Sequence, residues 1–166
     1  IAKTRQDWVQ DALNQASPVK KELSFSLSGK NSLLQEENSS NQLKALLEKE
    51  MIVIIADIEQ SVLDSTVEEL SDFGEVHGCI TDVSDPDSVE ALADYVFSTF
   101  DKCTLLFNNA GVGSGGGGKA WEHEPNDWKW CFGVNVFGMS NGVMSFIPRM
   151  LKSGQPGHVI NTSSGD

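Results

Sequence analysis

Basic residues are scarce in this 166-residue sequence, which has 12 lysines and arginines against 24 acidic residues and a net charge of −12. Because no block of Lys or Arg offsets this charge, we expect neither nucleic acid nor an anionic membrane as a partner. No apolar run approaches the roughly 18 residues that a membrane-spanning helix needs. No signal peptide opens the chain. These absences predict a soluble, cytoplasmic protein.

Cysteine and histidine are also few, and neither residue type forms a cluster. Cys79, Cys103 and Cys131 stand alone in apolar surroundings, which predicts reduced thiols in the core. The three histidines are scattered in the same way. We therefore expect no disulfide framework and no metal site.

Two kinds of apolar segment alternate along most of the chain. Short runs rich in Val and Ile have the length of buried strands, and longer segments repeat apolar residues at helical spacing. The predicted strands are Met51–Ala56, Val76–Ile80, Thr104–Phe107 and His158–Asn161, and the longest predicted helix runs from about Asn126 to Lys152. This alternation predicts an α/β fold with a Rossmann-like, doubly wound parallel sheet.

The first 42 residues do not follow this regular pattern. Apolar and polar residues alternate from Leu23 to Leu27, which predicts a strand or an extended arm. Asn31 to Gln42 is polar and acidic, which is typical of a loop or of disorder. A helix should follow, with Ser39 or Ser40 as its N-cap. The predicted units are an atypical N-terminal segment, residues 1–42, and a regular domain, residues 43–166.

The glycine-rich segment after Ala110 allows two nucleotide-binding interpretations. Gly111 to Gly116 satisfies the GxGxxG pattern, but that fingerprint should open a helix, with an acidic strand end about 20 residues later. Gly113 to Lys119 approaches a P-loop, yet Ala120 stands where that loop needs serine or threonine. A flexible surface loop is the interpretation that these glycines favour.

The polar residues that follow the predicted strands, together with one helical segment, form a more specific set. In chain order the set is Asp57, Asp82-Val83, Asn108-Asn109-Ala110-Gly111, Val134-Asn135-Val136-Phe137-Gly138 and Val159-Ile160-Asn161-Thr162-Ser163-Ser164. This order resembles the motifs of the short-chain dehydrogenase/reductase family, over about Leu43 to Asp166. The resemblance implies an NAD(P)-dependent oxidoreductase that transfers a hydride between nicotinamide and a small alcohol or carbonyl substrate.

The resemblance assigns six of these residues to the cofactor. A carboxylate at Asp57 can accept hydrogen bonds from a ribose diol and would repel a 2′-phosphate, which favours NAD over NADP. The residues implied for the adenine are Asp82 and Val83, and those implied beside the cofactor ribose are Asn109, Ala110 and Gly111. For Asp82, a helix-capping or turn role fits the sequence nearly as well.

Two further residues are assigned to catalysis by the same resemblance. Asn135 lies on the predicted apolar stripe of the long helix, where a buried amide needs a hydrogen-bond partner. The resemblance implies that Asn135 holds a water in a proton relay; a satisfied core amide is the alternative. Ser164 matches the catalytic serine, which hydrogen-bonds the substrate carbonyl or alcohol, and Ser163 is its neighbour, with which it could exchange roles.

Two departures from the family pattern bear on activity. The glycine-rich turn after the first strand is absent, because Asn31 to Gln42 holds no glycine, and Glu36 and Glu37 would repel a diphosphate. The Tyr-x-x-x-Lys pair is absent too, since the only tyrosine, Tyr95, is followed four residues later by Thr99. We therefore expect no tight NAD binding and little activity from this chain.

The first residue is Ile1 rather than Met, so we expect this chain to be a truncated part of a longer product. On this interpretation, the sheet is incomplete at its C-terminus and its first βα unit is atypical. The alternative hypothesis is a non-catalytic remnant, which would serve as a binding or interaction module of the same fold.

The long predicted helix carries more apolar residues than one sheet-facing stripe needs. They include Trp128, Trp130, Phe132, Val136, Phe137, Met144, Phe146 and Ile147. In the family that the chain resembles, this helix packs against its equivalent in a second subunit. We therefore expect a homo-oligomer, with a cover supplied from within one complete subunit as the alternative.

Overall fold

Five parallel strands form one sheet, in the order β3-β2-β1-β4-β5. The computed structural model describes residues 23–27, 36–113 and 118–163, with side chains described from residue 41 onward. The strands are β1 (Leu23–Leu27), β2 (Ile52–Asp57), β3 (Val76–Ile80), β4 (Leu105–Asn108) and β5 (His158–Asn161). The sequence therefore locates β3 and β5 correctly, and it locates β2 and β4 to within one residue.

Helical segments connect these strands. The α-helices are α1 (Glu36–Leu47), α2 (Gln60–Leu70), α3 (Pro86–Phe100), α4 (Pro125–Phe132) and α5 (Met139–Ser153). A 3-10 helix, Ala120–Glu122, precedes α4, and a π-helix, Gly133–Gly138, joins α4 to α5. The start of α3 shows why its sequence is helical: Asp85 accepts a hydrogen bond from the N–H of Asp87 (3.0 Å), and Pro86 stands at the first position.

Strand β1 lies at the centre of the sheet, although it belongs to the irregular N-terminal segment. Phe25 pairs with Ile54 of β2 on one side and with Leu106 of β4 on the other. The chain runs outward from β1 to β3 in one direction and from β4 to β5 in the other. The strand order therefore reverses between β1 and β4, which is where doubly wound sheets bind ligands.

Apolar side chains cover both faces of the sheet. Alternate residues of a strand point to opposite faces, so Ile54 and Leu106 join one buried cluster, whereas Val53 and Leu105 join the other. The first cluster includes side chains from α3 and α5, and the second includes side chains from α1 and α2. Helices on both faces confirm the doubly wound α/β fold.

Helix α1 begins earlier than the sequence predicts. It starts at Glu36, so Ser39 and Ser40 are inside the helix, and neither is its N-cap. The predicted loop from Asn31 to Gln42 is likewise wrong from Glu36 onward. The apolar spacing becomes visible only at Leu43, because the first turns carry polar residues that favour a loop in isolation.

The long helix is interrupted by the π-helix, which changes its buried face. A π-helix bonds residues five apart and so rotates all later side chains relative to an uninterrupted α-helix. Of the stripe predicted at regular spacing, Val134 is buried, but Trp128 and Met139 are exposed. The buried face beyond the π-helix is instead Gly142, Ser145, Phe146 and Met150.

This rotation also corrects the set of surplus apolar residues. Phe146 is 0% exposed and packs against Phe97, with ring centroids 6.1 Å apart, so it belongs to the core. Phe132 is 49% exposed, and Met144 and Phe137 are also exposed. An apolar surface therefore exists along α4, the π-helix and α5, but Phe146 is not part of it.

Gly138, at the end of the π-helix, lies against Val83. A Cβ at position 138 would lie 2.9 Å from Val83 Cγ2 and 3.2 Å from Val83 Cβ. Because valine is stiff and Val83 is buried, we expect Gly138→Ala to lower the free energy of unfolding by about 1–3 kcal/mol, despite the better helix propensity of alanine. Urea denaturation of the purified chain measures this change.

Gly133, at the other end of the same π-helix, provides the matched control. A Cβ there would lie 3.5 Å from Ser84 Cβ, which is an ordinary contact. We therefore expect Gly133→Ala to leave stability unchanged or to raise it, and Val83→Ala to cost less in the Gly138→Ala background than alone. Equal losses for the two glycine variants would contradict this packing account.

Candidate functional site

The polar residues named from the sequence gather at one edge of the sheet. Parallel strands end on the same edge, so Asp57, Asn108 and Asn161 stand at the carboxyl ends of β2, β4 and β5. Asp82 and Val83 follow β3 at the same edge. The sequence positions that were far apart therefore become neighbours around the point where the strand order reverses.

Asp57 is the last residue of β2, and it is almost completely buried. Its Oδ1 accepts a hydrogen bond from the N–H of Glu59 at 2.9 Å. This bond closes a short side-chain turn ahead of α2 and fixes the carboxylate at the strand end. The predicted position of Asp57 is confirmed, and its side chain is held rather than free to rotate.

Asp82 shapes the turn between β3 and α3. Its Oδ1 accepts hydrogen bonds from the N–H of Ser84 (2.9 Å) and from the Ser84 hydroxyl (2.7 Å), and its own N–H donates to Ser88 Oγ (3.1 Å). The cap of α3 itself is Asp85. The turn role weighed for Asp82 is thus present in the structure.

Val83 is buried against the π-helix and the start of α5. Its carbonyl accepts a hydrogen bond from Asn141 Nδ2 at 2.9 Å, and its side chain packs on Gly138. An apolar side chain is therefore fixed between the turn after β3 and α5. It can serve as one wall of a site above the sheet.

Asn108 and Asn109 tie the end of β4 to the end of β5. Asn108 Nδ2 donates to Asn161 Oδ1 at 2.8 Å, and the Thr162 hydroxyl donates to Asn109 Oδ1 at 2.8 Å. The N–H of Thr162 donates to the Asn108 carbonyl at 3.0 Å. These bonds hold the chain just before Ser163 against the end of the neighbouring strand.

Asn108 has one polar atom without a partner in the described part of the chain. Its Oδ1 is buried, and it lies beside a small cavity of about 10 Å³. The cavity is also lined by Ala110, Asn135 and Thr162, and it has room for about one water molecule. The sequence predicted only that the amide of Asn108 could bond neighbouring backbone or a ligand, and it assigned no contact to Thr162. In the structure Asn108 stands in register with Asn161, and Thr162 follows Asn161.

Asn135 lies on the π-helix and is exposed, so its predicted burial is wrong. The amide of Asn135 nevertheless has partners: its Oδ1 accepts from the Val112 N–H at 2.8 Å, and its Nδ2 donates to the Val112 carbonyl at 2.9 Å. The π-helix rotates this residue away from the core stripe and towards the segment after Gly111. Sequence spacing alone could not anticipate that rotation.

Ala110 and Gly111 lie between the end of β4 and Asn135. Ala110 packs partly against the core, and a Cβ at Gly111 would lie 3.7 Å from Asn135 Oδ1. Two small residues therefore leave the backbone accessible at the reversal point. The remaining predicted site residue, Ser164, lies outside the described residues, and its neighbour Ser163 is exposed.

The P-loop interpretation of the glycine-rich segment is not supported by the position of Lys119. Its ammonium group lies over the ring of Trp121, 5.3 Å from the ring centroid, in a cation–π contact. A single turn of 3-10 helix follows it, and α4 begins only at Pro125. The residues between Gly113 and Gly118 lie outside the described part.

The three cysteines are free; Cys103 is buried in the core as predicted, whereas Cys79 and Cys131 are only partly buried. Burial raises the pKa of Cys103 to about 12 and also raises the pKa of Cys79, so neither thiol is an activated nucleophile. Within residues 23–27, 36–113 and 118–163, no group of three or more potential metal ligands occurs. The same described ranges contain no helix that is long and apolar enough to span a membrane.

Curated proteins of similar sequence include several that are named dehydrogenases. The chain is 37% identical over 114 residues to C alpha-dehydrogenase of Sphingobium sp. strain SYK-6, which covers 68% of this chain and 37% of that protein. It is 34% identical over 113 residues to 1-deoxy-11-beta-hydroxypentalenate dehydrogenase of Streptomyces avermitilis, covering 68% of this chain and 42% of that protein. This chain thus spans about two fifths of the length of these relatives.

Solved structures and a family profile agree with these relatives. A short-chain dehydrogenase/reductase from Burkholderia phymatum, solved in complex with NAD, superposes with a TM-score of 0.71 and 37% identity, over 87% of this chain and 51% of that one. A metagenomic short-chain oxidoreductase solved with NADP has the same fold, with a TM-score of 0.77 at 24% identity over 90% of this chain and 65% of that one. Residues 41–166 match the profile of the short chain dehydrogenase family. The chain therefore belongs to the short-chain dehydrogenase family.

Proposed function

We propose that this chain supplies the cofactor-binding side of an NAD-dependent oxidoreductase, in which a hydride passes between nicotinamide and an alcohol or carbonyl substrate. NADP is the less favoured cofactor. The observation that carries the proposal is that a fixed carboxylate, an apolar side chain and two small residues all lie at the carboxyl edge of the sheet, where the strand order reverses between β1 and β4. These are Asp57, Val83, Ala110 and Gly111.

The described residues fit an adenosine group chemically. Asp57 offers a carboxylate for ribose hydroxyls, and the buried side chain of Val83 offers a surface for an adenine ring. Ala110 and Gly111 leave space for close approach to their backbone. The NAD-bound relative from Burkholderia phymatum and the names of the two dehydrogenases support the same assignment.

Asn135 acts on this site through Val112. Its two hydrogen bonds to the Val112 N–H and carbonyl hold the backbone that follows Gly111, so the segment leaving the cofactor side is fixed to the π-helix. A bound nicotinamide would supply the hydride donor or acceptor. We assign Ser164 to the substrate oxygen; in the sequence it comes two residues after Thr162, which the bonds between the ends of β4 and β5 hold in place.

Tyr95 does not supply the proton-transfer group in this proposal. It lies on α3, packed edge-on against Phe100 at a centroid distance of 6.1 Å. Burial, with a smaller contribution from Cys79, raises the pKa of Tyr95, whereas an acid/base tyrosine needs a lowered pKa. In this proposal the chain therefore binds and positions the cofactor, while its single tyrosine is not the proton donor.

Cofactor choice tests the role of Asp57. We expect the chain to bind NAD more tightly than NADP, and Asp57→Ala combined with Ile58→Arg to shift the ratio of the two affinities towards NADP by about tenfold, or ~1.4 kcal/mol. The double change removes a carboxylate that would repel the 2′-phosphate of NADP. It also adds a guanidinium at the exposed neighbouring position 58, which can bind that phosphate. NMR titration with each cofactor measures the two dissociation constants.

Ile58→Arg alone is the matched control, because it adds the same charge and keeps the carboxylate of Asp57. It should move the ratio less than the double change does. Since Asp57 also accepts the Glu59 N–H, circular dichroism must show that each variant is folded. Equal affinity of the unchanged chain for NAD and NADP would refute the assigned role of Asp57.

We also propose that the complete protein is a homo-oligomer, associating through the exposed apolar side chains of the π-helix and α5. Phe137 and Met144 are exposed on this surface, whereas Phe146 is buried and unsuitable for the test. In the complete protein, Phe137→Asp combined with Met144→Asp should lower the oligomer mass that light scattering measures. An unchanged mass would show that a different surface is used.

A further inference from the structure

A cavity of about 450 Å³ lies between the segment leading to His123 and the helical run that starts with α4. The side chains that define it are His123, Asp127, Trp128, Cys131, Phe132 and Asn135. Four of these residues are spaced by four positions, which places them along one face of a helix or of the turn before it. Of these six residues, only Asn135 was predicted from the sequence to belong to a functional site.

Aromatic side chains form much of the cavity wall. Trp128 and Phe132 lie on α4 with ring centroids 6.3 Å apart, and they are 48% and 49% exposed. Covering large rings that are exposed to water with another apolar surface lowers the free energy of the system. A flat apolar ligand that bound here would be stabilised in this way, because the rings line a concave surface rather than a flat one.

One polar pair interrupts this apolar lining. His123 Nδ1 lies 3.6 Å from Asp127 Oδ2, and the same carboxylate oxygen accepts the Glu124 N–H at 2.9 Å. The carboxylate is therefore fixed by the start of α4, and it lies beside an imidazole whose side chain is mostly buried. An imidazole can donate to or accept from a hydroxyl or ether oxygen. The carboxylate and the net charge of −12 both disfavour an anionic ligand.

Asn135 is shared between this cavity and the small cavity beside Asn108. This residue lines the cavity, and its amide holds Val112, another residue of the lining. A ligand in the cavity would therefore lie beside the segment that leaves the cofactor side. This position beside the proposed cofactor side is what makes the cavity a candidate for the substrate.

We propose that the cavity receives the aromatic ring of a neutral aryl alcohol or aryl ketone substrate. Trp128 and Phe132 contact the ring, and His123 contacts a hydroxyl or ether substituent on it. This inference rests on the proposed oxidoreductase function, and it makes α4 a determinant of substrate specificity.

The test uses the indole N–H signals of the 15N-labelled chain, which has four tryptophans. Trp128 lines the cavity, and Trp130 does not, although the two are 48% and 43% exposed. On titration with 4-hydroxybenzyl alcohol, we expect the Trp128 signal to shift and saturate while the Trp130 signal stays in place. Single Trp→Phe changes assign the two signals.

Variants then distinguish specific contact with the aromatic ring from nonspecific hydrophobic binding. Trp128→Ala should weaken binding of the probe by about tenfold, whereas Trp130→Ala should leave it unchanged. His123→Ala should reduce the preference for 4-hydroxybenzyl alcohol over benzyl alcohol to near unity. Cyclohexylmethanol and 4-hydroxybenzoate should both bind more weakly than 4-hydroxybenzyl alcohol, because one lacks the aromatic ring and the other is an anion. Thermal unfolding verifies that each variant is folded.

Shifts of equal size at Trp128 and Trp130, or no saturable shift at Trp128, would overturn the inference. Equal binding of cyclohexylmethanol would overturn the aromatic preference in the same way. NAD titration of the same sample monitors the amides of Asp57 and Gly111, which tests the proposed function separately. Saturable NAD shifts without a ring-probe shift would overturn the cavity assignment alone.

Discussion

The pairing of β1 with both β2 and β4 is the constraint on which the rest of the structure depends. Leu23 to Leu27 hydrogen-bonds to Ile52–Ala56 on one side and, from Ser24 onward, to Leu105–Asn108 on the other. Without this strand, β2 and β3 would have no connection to β4 and β5 within the sheet. The register of β1 places Ala56 and Asn108 at the same height, one on each side of Leu27, with Asp57 one residue further along β2.

The π-helix is the second determinant of the site, because it changes the direction of one side chain in the middle of the long helix. Its wider turn takes Asn135 off the core stripe and aims its amide at Val112, while Val134 and Gly138 stay buried. The contact of Gly138 with Val83 brings the turn after β3 against the same helix. One local irregularity thus links the turn after β3, the segment after β4 and the long helix.

Much of the fold follows from the sequence because buried parallel strands have a strong apolar signal. Val76–Ile80 and His158–Asn161 are predicted to the residue, and the polar strand ends identify the family by their order. Two features escape this reasoning for physical reasons. The first turns of α1 are polar and are visible as helix only in the folded chain, and the π-helix breaks the period on which the burial of Asn135 and the exposure of Phe146 were predicted.

The most direct test of the account is an NMR titration of the 15N-labelled chain with NAD, because it needs neither substrate nor turnover. The account predicts saturable shifts of the amides of Asp57, Val83 and Gly111, at the carboxyl edge of the sheet, at NAD concentrations well above micromolar. Gly74 and Gly157, which precede β3 and β5 at the opposite edge, should stay in place. Shifts confined to the opposite edge, or none at Asp57 and Gly111, would contradict it.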